Sequence, residues 1–480
     1  RHLLLSVPGI RVAVVEPQSA EELARIAKIG ESTVEIAGSF MVKDLGLGAY
    51  LTEHHLPKNG LNFHWPKKGE KTDSMDDYWS VWALRQPVGH AWQVHRGKLE
   101  VDLLQMNREH GVEVIEASVV DFDISPGSEL NQVHIETRSG ERSTLSCKHL
   151  VDAAGRAFLT GRKFNNISRK PRDKYGIKNG TAWVRVGGVD RDLFHNELDQ
   201  NDTSTVRYYG TNHFFGPGHW LWMIPLSRES MELSIGVIHH HDVVPARSLN
   251  SREKFLEFLK ANHEVLYRLV STAEDIDFVY WGSPSHVPSQ VFSEDNWSAL
   301  GDAIYFGDAF YSVGISALCV TVDCTTELIR AQLANEPDLS AKRGAFNRYI
   351  HWFATTNAHT YRDHPVMLGN ASIMSWRIYF EYLWWFGALV PGFVGKWHLE
   401  PAFIEEQLAN CPRHIHGEIY DELSMLARKG TNIGLMDCYR ADQLPLCGDF
   451  YPDRHHVPYL ENTEYGHREL NIYRSVAATH

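Results

Sequence analysis

Short apolar runs alternate with amphipathic ones over the first 170 residues. Apolar stretches at 10–15, 113–115 and 147–152 predict buried strands, and apolar positions recur at helical spacing from Lys98 to His110. Strands that alternate with helices indicate a parallel sheet flanked by helices. The pattern therefore predicts an α/β domain of the dinucleotide-binding type. Its second strand ends in Glu16, an acid that can accept hydrogen bonds from ribose hydroxyls.

Strand-like runs dominate from about Lys174 to Val287, with one helical stretch at 252–269. Within them, positions 219–225 read His-Trp-Leu-Trp-Met-Ile-Pro, and the alternation places the two tryptophans and the isoleucine on one strand face. Runs of strands with few helices between them favour an antiparallel sheet. We expect this sheet to form the roof of a substrate cavity.

The chain after Arg330 is helical and aromatic. Helical periods cover 315–334, 341–361 and 373–388, and residues 382–386 are apolar all round, which predicts burial. The aromatic side chains here form either ordinary core or the wall of an aromatic pocket. The whole pattern predicts a mixed α/β (α+β) fold in three parts. These are a nucleotide-binding domain at 1–170 and 290–335, an antiparallel-sheet domain at 171–289 and a helical region at 336–480.

Composition narrows the classes of function. A net charge of −13 over 480 residues disfavours nucleic acid as a partner. Fourteen tryptophans suit a pocket for a flat ligand, although a heavy core accounts for them equally. The six cysteines have no paired spacing, which predicts a reduced, cytoplasmic compartment. The most apolar stretch, 379–394, contains Glu381 and Pro391 and is too short to span a bilayer, so we expect no membrane span.

The strand that ends in Glu16 should be the second of its βαβ unit. The first strand and its glycine-rich loop are not in the sequence, so we expect the native chain to begin about 15–20 residues earlier, from the ~30-residue size of such a unit.

Two features admit a structural explanation. Ser32 and Glu35 fit a capping box, S-x-x-E, which predicts that a helix begins there. The histidine run at 239–241 and the pair His414 and His416 have no cysteine or carboxylate partner at ligand spacing, so we predict no metal site.

Residues 301–314 read Gly-Asp-Ala-Ile-Tyr-Phe-Gly-Asp-Ala-Phe-Tyr-Ser-Val-Gly and are followed by a long helical pattern. A turn of small residues that opens a helix presents free N–H groups and the positive end of the helix dipole. Such a turn suits an anion or the electron-rich edge of a cofactor. An ordinary strand-to-helix turn explains the same pattern.

Four segments together resemble the flavin-dependent halogenases. They are I-G-E-S-T at 29–33, the lysine turn and strand at 56–65, W-x-W-x-I-P at 220–225, and G-D-A-x-x-F-x-D-x-x-x-S-x-G at 301–314. They occur in the family's order, and with the nucleotide-binding strands the resemblance covers most of the first 335 residues. One departure is Ala309, where the family usually has proline.

The resemblance implies an FAD-binding domain of the para-hydroxybenzoate hydroxylase type. In it Asp302 binds the ribityl–pyrophosphate region, Arg96 contacts the cofactor, and the strand near Val119 clamps the adenine. The full cofactor set that the resemblance implies is Glu16, Gly30, Ser32, Thr33, Arg96, Val119, Asp152, Gly155, Asp302, Gly314 and Ile315. The N–H groups of Val313 and Gly314 would hold the halide.

The resemblance also implies the chemistry. Reduced FAD, supplied by a separate flavin reductase, reacts with O2 to give a C4a-hydroperoxide, and chloride or bromide attacks it. The hypohalous acid then travels to Lys58, whose ammonium or amine keeps the oxidant beside the substrate. The residues assigned to the tunnel and the substrate side are Trp220, Trp222, Ile224, Pro225 and Tyr311.

Tyr311 bears on the substrate. Tryptophan halogenases carry glutamate at this position, so the tyrosine favours a phenol or pyrrole, either free or tethered to a carrier protein. Two alternatives stay open on sequence alone, namely an FAD-dependent aromatic monooxygenase and a non-catalytic FAD-binding protein.

Overall fold

The largest element of the fold is a seven-stranded mixed sheet. The computed structural model describes residues 1–25, 28–58, 60–67, 69, 71–84, 91–127, 130–169, 177–194, 207–410 and 413–436. In spatial order the strands of the sheet are Glu274–Trp281, Asn179–Gly187, Leu233–His240, His219–Pro225, Thr211–Gly216, Leu61–Pro66 and Tyr78–Leu84.

Neighbouring strands of this sheet are antiparallel except one pair. Thr211–Gly216 runs parallel to Leu61–Pro66, with His213 opposite Phe63. The predicted antiparallel arrangement therefore holds for the strands between 179 and 281, whereas the two strands from 61–84 extend the same sheet across the expected boundary at residue 171. The three-part division of the chain itself stays a prediction.

The part of the fold that is expected to bind the nucleotide contains short parallel strand pairs. Ala13–Val15 pairs with Glu113–Ile115, and Leu150–Asp152 pairs with Trp297–Ala299. An antiparallel three-stranded sheet accompanies them, made of Ser118–Asp123, Asn131–Glu136 and Arg142–Cys147. Two further antiparallel pairs are Leu56–Pro57 with Trp92–Gln93 and Ile167–Ser168 with Val287–Pro288.

Helices surround both sheet systems and make up most of the chain after residue 312. The α-helices of the described residues are His2–Ser6, Ala20–Arg25, Glu35–Ser39, Gly48–His54, Arg96–Glu109, Leu159–Phe164, Arg252–Asn262, Glu264–Ser271, Val313–Leu333, Leu339–Arg362, His364–Met367, Ala371–Trp384, Val390–Val394, Pro401–Asn410 and Arg413–Arg428. Single π-helical turns occupy Phe40–Asp44 and Trp385–Leu389.

The helix Val313–Leu333 is long and apolar enough to cross a bilayer by length and composition, and it is the one such helix among the described residues. In the fold it packs in the core, since its central side chains, including Cys319, Val320, Cys324 and Leu328, are buried. Burial within the protein accounts for its apolar character.

Some local predictions hold and others are wrong. A helix begins at Glu35, as predicted, but the capping box does not form, because the helix Glu35–Ser39 has Val34 at its N-cap and the Ser32 hydroxyl bonds elsewhere. The stretch 252–269 is two helices that meet at His263. Within the region where strand-like runs are predicted, Arg207–Tyr209 forms a 3₁₀ turn.

Candidate active site

Three of the residues expected at the cofactor meet although they are far apart in sequence. A Cβ atom on Gly30 would lie 2.7 Å from Arg96 Nη1 and 3.6 Å from Ile315 Cγ1. Arg96 opens the helix Arg96–Glu109 and donates from Nη1 to the carbonyl of Ile29 at 2.9 Å. Gly30 has a φ of +95°, which glycine adopts without strain. The loop at 29–31 thus turns tightly between an arginine and the start of the long helix Val313–Leu333.

The turn before that long helix has two consecutive left-handed residues. Tyr311 has a φ of +61° and Ser312 a φ of +60°. Left-handed backbone costs roughly 1–3 kcal/mol at a non-glycine residue and is retained where the surrounding structure requires it. No side chain caps the helix, so its first N–H groups stay available. Gly314 leaves open space where a side chain would be. This helix start therefore has donors and room for an anion or a cofactor edge.

The loops that carry Asp152 and Asp302 lie side by side, because Leu300 N–H donates to the Asp152 carbonyl at 2.9 Å. Arg96 and Arg156 both act electrostatically on Asp302, yet burial dominates and raises the pKa of that carboxyl. The Asp152 side chain is hydrogen-bonded to groups within the protein. Its carboxylate accepts from the Ala154 N–H and from the N–H and hydroxyl of Thr160.

The other expected cofactor residues lie at the ends of strands or in turns of the region 13–157. Gly155 starts a 3₁₀ turn with a φ of +56° and has open space beside it. Glu16 follows the strand Ala13–Val15 and accepts from the Gln18 N–H at 3.0 Å. Val119 is half-buried on the strand Ser118–Asp123. Their roles toward FAD stay predictions.

Lys58 is a buried lysine and does not lie in a solvated turn. Its Nζ donates to Ser32 Oγ and to the Thr33 carbonyl, each at 2.9 Å. Only 3% of the residue is exposed, and burial lowers the pKa of its ammonium from 10.5 to about 8, although the charge of Glu35 partly offsets this. Within the described residues its third hydrogen has no acceptor. Lys58 can therefore present either an N–H donor or, in the amine form, a nitrogen lone pair.

The tryptophan pair shares one strand face, as the alternation predicts. The ring centroids of Trp220 and Trp222 are 5.9 Å apart, and both rings are nearly fully buried in the main core with Ile224. Trp220 Nε1 donates to Asp308 Oδ1 at 3.1 Å, and Trp222 Nε1 donates to Ser234 Oγ at 3.2 Å.

A cavity lies beside the turn that contains Tyr311. It has a volume of about 50 Å³, enough for a few waters. Its lining is rich in aromatic residues and comes from six parts of the chain: Val34, Glu35, Leu61, Tyr311, Val313, Phe353, Thr356, Thr360, Tyr361, Glu381, Tyr382, Trp384, Trp385, Leu389 and Tyr420. Of the residues expected on the substrate side, Tyr311 lines it, whereas Trp220, Trp222, Ile224 and Pro225 do not. Lys58 does not line the cavity, but it donates to the carbonyl of Thr33, the residue directly before the lining residues Val34 and Glu35.

Glu381 brings a second carboxylate to this cavity. It accepts hydrogen bonds from the hydroxyls of Tyr311 and Tyr420 and from Arg377 Nε at 2.9 Å. Burial and the Glu381 charge raise the pKa of the Tyr311 phenol well above its ordinary value. Tyr311 therefore remains protonated and its hydrogen is committed to Glu381.

Three buried groups converge next to Trp220. Ligand atoms of His240, Asp308 and His364 lie within 4.8 Å of one another, as a metal site would require. Asp308 and His364 are thus partners of His240 that sequence spacing does not reveal, because they lie far from it along the chain. A metal is nevertheless disfavoured, because Arg377 Nη2 donates to His364 Nε2 at 2.9 Å and so leaves the proton on the nitrogen that faces Asp308. The side chains of His414 and His416 lie outside the described part of the structure.

Sequence reasoning missed most of the cavity wall. Tyr382, Trp384 and Trp385 were expected to be buried, but they are only half-buried and line the cavity. These residues both line the cavity and pack against the main core, and their role toward an aromatic substrate stays a prediction. A π-helical turn begins at Trp385 and changes the directions in which the side chains of this segment point. The sequence contains no signal for this turn.

Comparison with known proteins agrees with this geometry. The chain is 38% identical to the flavin-dependent halogenase chlA of Dictyostelium discoideum, over 98% of this chain and 81% of that protein. It is 26% identical to the 1H-pyrrole-2-carbonyl-[peptidyl-carrier protein] brominase of Pseudoalteromonas luteoviolacea, over 64% of this chain and 68% of the relative. No family model matches the chain.

Solved structures share the fold. The crystal structure of halogenase PltM aligns with a TM-score of 0.66 at 14% identity and covers all of this chain and 93% of its own. The flavin-dependent brominase Bmp2 aligns with a TM-score of 0.61 at 20% identity and covers 88% of this chain and 95% of its own. The mixed α/β architecture of the chain is thus shared with these two solved enzymes.

On the 38% identity over nearly its full length, the chain belongs to the flavin-dependent halogenase family. FAD is the family's cofactor, and halide and O2 are its cosubstrates. The residues present fit FAD, because the uncapped helix start and the open space at Gly155 and Gly314 provide donors and room on the side where Arg96 and Asp302 lie.

Proposed function

We propose that this halogenase installs chlorine or bromine on a neutral, electron-rich phenol, with hypohalous acid relayed to Lys58. The observation that carries the proposal is a buried lysine with a spare N–H next to an aromatic-walled cavity. FAD, when bound and reduced, supplies the oxidation of the halide by O2. The chain's own residues then hold the oxidant, exclude water and position the ring.

Lys58 suits the relay because its environment keeps it rigid and reactive. Two hydrogen bonds fix Nζ, which leaves one hydrogen for the oxygen of hypohalous acid. With a pKa near 8, the Lys58 side chain is in the neutral amine form in roughly one molecule in ten at pH 7, so transient N-halogenation is available. Either form keeps the oxidant next to the cavity, and the position of the bound ring then determines which carbon is halogenated.

The substrate class follows from the charges in the cavity. Arg377 balances Glu381, and the Glu35 charge acts on Lys58, so the site is close to neutral. A phenol matches this balance and the aromatic walls. The similar proteins support a phenol or a pyrrole, since one solved PltM structure contains phloroglucinol and one relative is named as a brominase of a carrier-bound pyrrole. A carrier-tethered aromatic is therefore the second candidate substrate.

The deciding experiment supplies chemically reduced FAD, O2, and chloride or bromide with a panel of phenols, indoles and pyrroles, both free and carrier-bound. The halogen isotope pattern in mass spectra identifies products. Halogenated phenols are expected, whereas halogenation of tryptophan alone would contradict the proposed substrate. Hydroxylated products that form without halide would favour the monooxygenase alternative.

We further infer that a separate reductase supplies reduced FAD and that the enzyme works in the cytoplasm. The sequence offers one dinucleotide-binding half, and Cys147, Cys319 and Cys324 are free thiols. Rapid reduction of bound FAD by NADPH, with no partner enzyme present, would contradict the first inference. Targeting of a tagged protein to an oxidising compartment would contradict the second.

A further inference from the structure

Glu35 is a carboxylate with one free oxygen in the cavity. It opens the helix Glu35–Ser39, is only 7% exposed and lines the cavity. Trp385 Nε1 donates to its Oε2 at 2.8 Å and fixes its orientation. Within the described residues no group donates to Oε1. The cavity therefore contains an oriented acceptor whose protein partners satisfy only one of its two oxygens.

The second carboxylate of the cavity differs in this respect. Both oxygens of Glu381 accept from protein donors, and Arg377 neutralises its charge. A substrate hydroxyl has no vacant strong acceptor there. Glu35 is thus the carboxylate that can receive a hydrogen bond from a bound ring.

Glu35 is also close to Lys58. Thr33, two residues earlier, accepts the lysine's hydrogen bond through its carbonyl, and the charge of Glu35 acts on the lysine. Thr33 directly precedes Val34 and Glu35, which both line the cavity. A ring anchored on Glu35 is therefore held at the part of the cavity nearest the lysine.

We propose that Glu35 Oε1 accepts the hydroxyl proton of the phenolic substrate while the carbon–halogen bond forms. This inference rests on the proposed function. The ring's electron pair forms the bond to halogen, the halogen–oxygen bond of hypohalous acid breaks, and the departing hydroxide takes a proton from the Lys58 ammonium to become water. Loss of the hydroxyl proton to Glu35 gives a neutral cyclohexadienone. The ring C–H proton then passes to the Lys58 amine, the proton on Glu35 returns to the oxygen, and the halogenated phenol results with both side chains restored.

The role has a specificity consequence. The Glu35 carboxylate strengthens the binding of a substrate whose hydroxyl can donate a hydrogen bond to it, and it weakens the binding of a substrate with an anionic group at the same place. A methyl ether has no proton to give, so it should be a poor substrate even though its ring is nearly as electron-rich. The substrate class is thus narrowed to phenols with a free hydroxyl near the halogenated carbon.

The test compares Glu35→Gln and Glu35→Asp with the unaltered enzyme, all loaded with FAD, on phenols whose own pKa values span about 10 to about 7. Loss of a general base lowers kcat about 10²-fold. We expect Glu35→Gln to lose that much on the least acidic phenol, and the deficit to shrink on nitrophenols that are already ionised. Glu35→Asp should recover part of the loss. Trp385→Phe serves as a matched variant, since it keeps the carboxylate and removes its orienting donor, so KM should rise more than kcat falls.

A binding measurement tests the same contact without turnover. The absorbance of 4-nitrophenol bound to the oxidised FAD enzyme gives its apparent pKa, which the Glu35 charge should raise relative to the Glu35→Gln variant. Unchanged kcat in Glu35→Gln, or an equal deficit across the whole phenol series, would overturn the proposal. If the unaltered enzyme halogenates no phenol, the proposed function fails, and the nitrophenol titration still decides whether Glu35 meets a hydroxyl.

Discussion

The burial of Lys58 has a consequence for stability that can be measured apart from activity. Burial lowers the pKa of the ammonium from 10.5 to about 8. Each pKa unit is about 1.4 kcal/mol, so the folded protein carries about 3 kcal/mol of destabilisation while the lysine is charged. Below pH 8 both the folded and the unfolded state are protonated, and the full cost is present. Between pH 8 and 10.5 only the unfolded state keeps the proton, so the free energy of unfolding rises with pH over this window.

Lys58→Met keeps the volume and removes the titrating group. Its free energy of unfolding should lack this rise with pH. The difference in the free energy of unfolding, unaltered protein minus variant, should therefore increase by about 3 kcal/mol between pH 7 and pH 10.5. At pH 7 the two stabilities should be similar. The variant loses the desolvation cost, but it leaves the Thr33 carbonyl without its donor, which costs about 1–3 kcal/mol.

Urea unfolding of both proteins at several pH values, with FAD at saturation, measures this difference. The contributions of the other titrating groups cancel because both proteins contain them. Parallel stability curves across pH 7–10.5 would mean that Lys58 is hydrated in the folded protein. The same variant should bind FAD and form peroxide but give no halogenated product. Halogenation that survives in purified Lys58→Met would remove the lysine from the reaction.

Three further substitutions test other parts of the site. Gly30→Ala should weaken FAD binding at least tenfold in a fluorescence titration, because the new Cβ meets Arg96 Nη1 at 2.7 Å, whereas Gly111→Ala has a similar φ of +87° with open space and should bind FAD normally. Equal FAD affinity in the two variants would show that Gly30 has no role in FAD binding. Trp222→Ala should cost roughly 3–5 kcal/mol of stability and increase peroxide release per halogenated product; unchanged coupling would make the ring ordinary core. Tyr311→Phe removes a hydrogen bond to Glu381 and should change KM or the ratio of halogenated isomers in chromatography, and unaltered values of both would place Tyr311 outside substrate recognition.

The sequence predicted the elements whose evidence is local. The tryptophan face of the strand His219–Pro225 follows from strict alternation, and the long helix after Ser312 follows from its apolar period. Lys58 was singled out by resemblance only, since a lysine in a turn is usually solvated. Its burial depends on Ser32 and Thr33, which fold back from a separate segment.

The rest depends on contacts that a linear pattern does not encode. Glu35 matched a capping box with Ser32, but the serine hydroxyl is drawn to Lys58 and Thr211, so the glutamate is left to face the cavity. His240 lacked a partner nearby in sequence and finds Asp308 and His364 across the fold. In each case a tertiary contact overrode a local interpretation.

The origin of the cavity walls affects how this enzyme can change. Most of the lining comes from residues 353–420, whereas the residues expected to hold FAD lie between 16 and 155 and between 301 and 315. Besides Leu61, the cavity takes only Val34, Glu35, Tyr311 and Val313 from outside the later helices. Substitutions in those helices can therefore alter which ring is accepted while the oxidising half is preserved. Diversification of substrate scope, by natural drift or by directed evolution, should concentrate on residues 353–389.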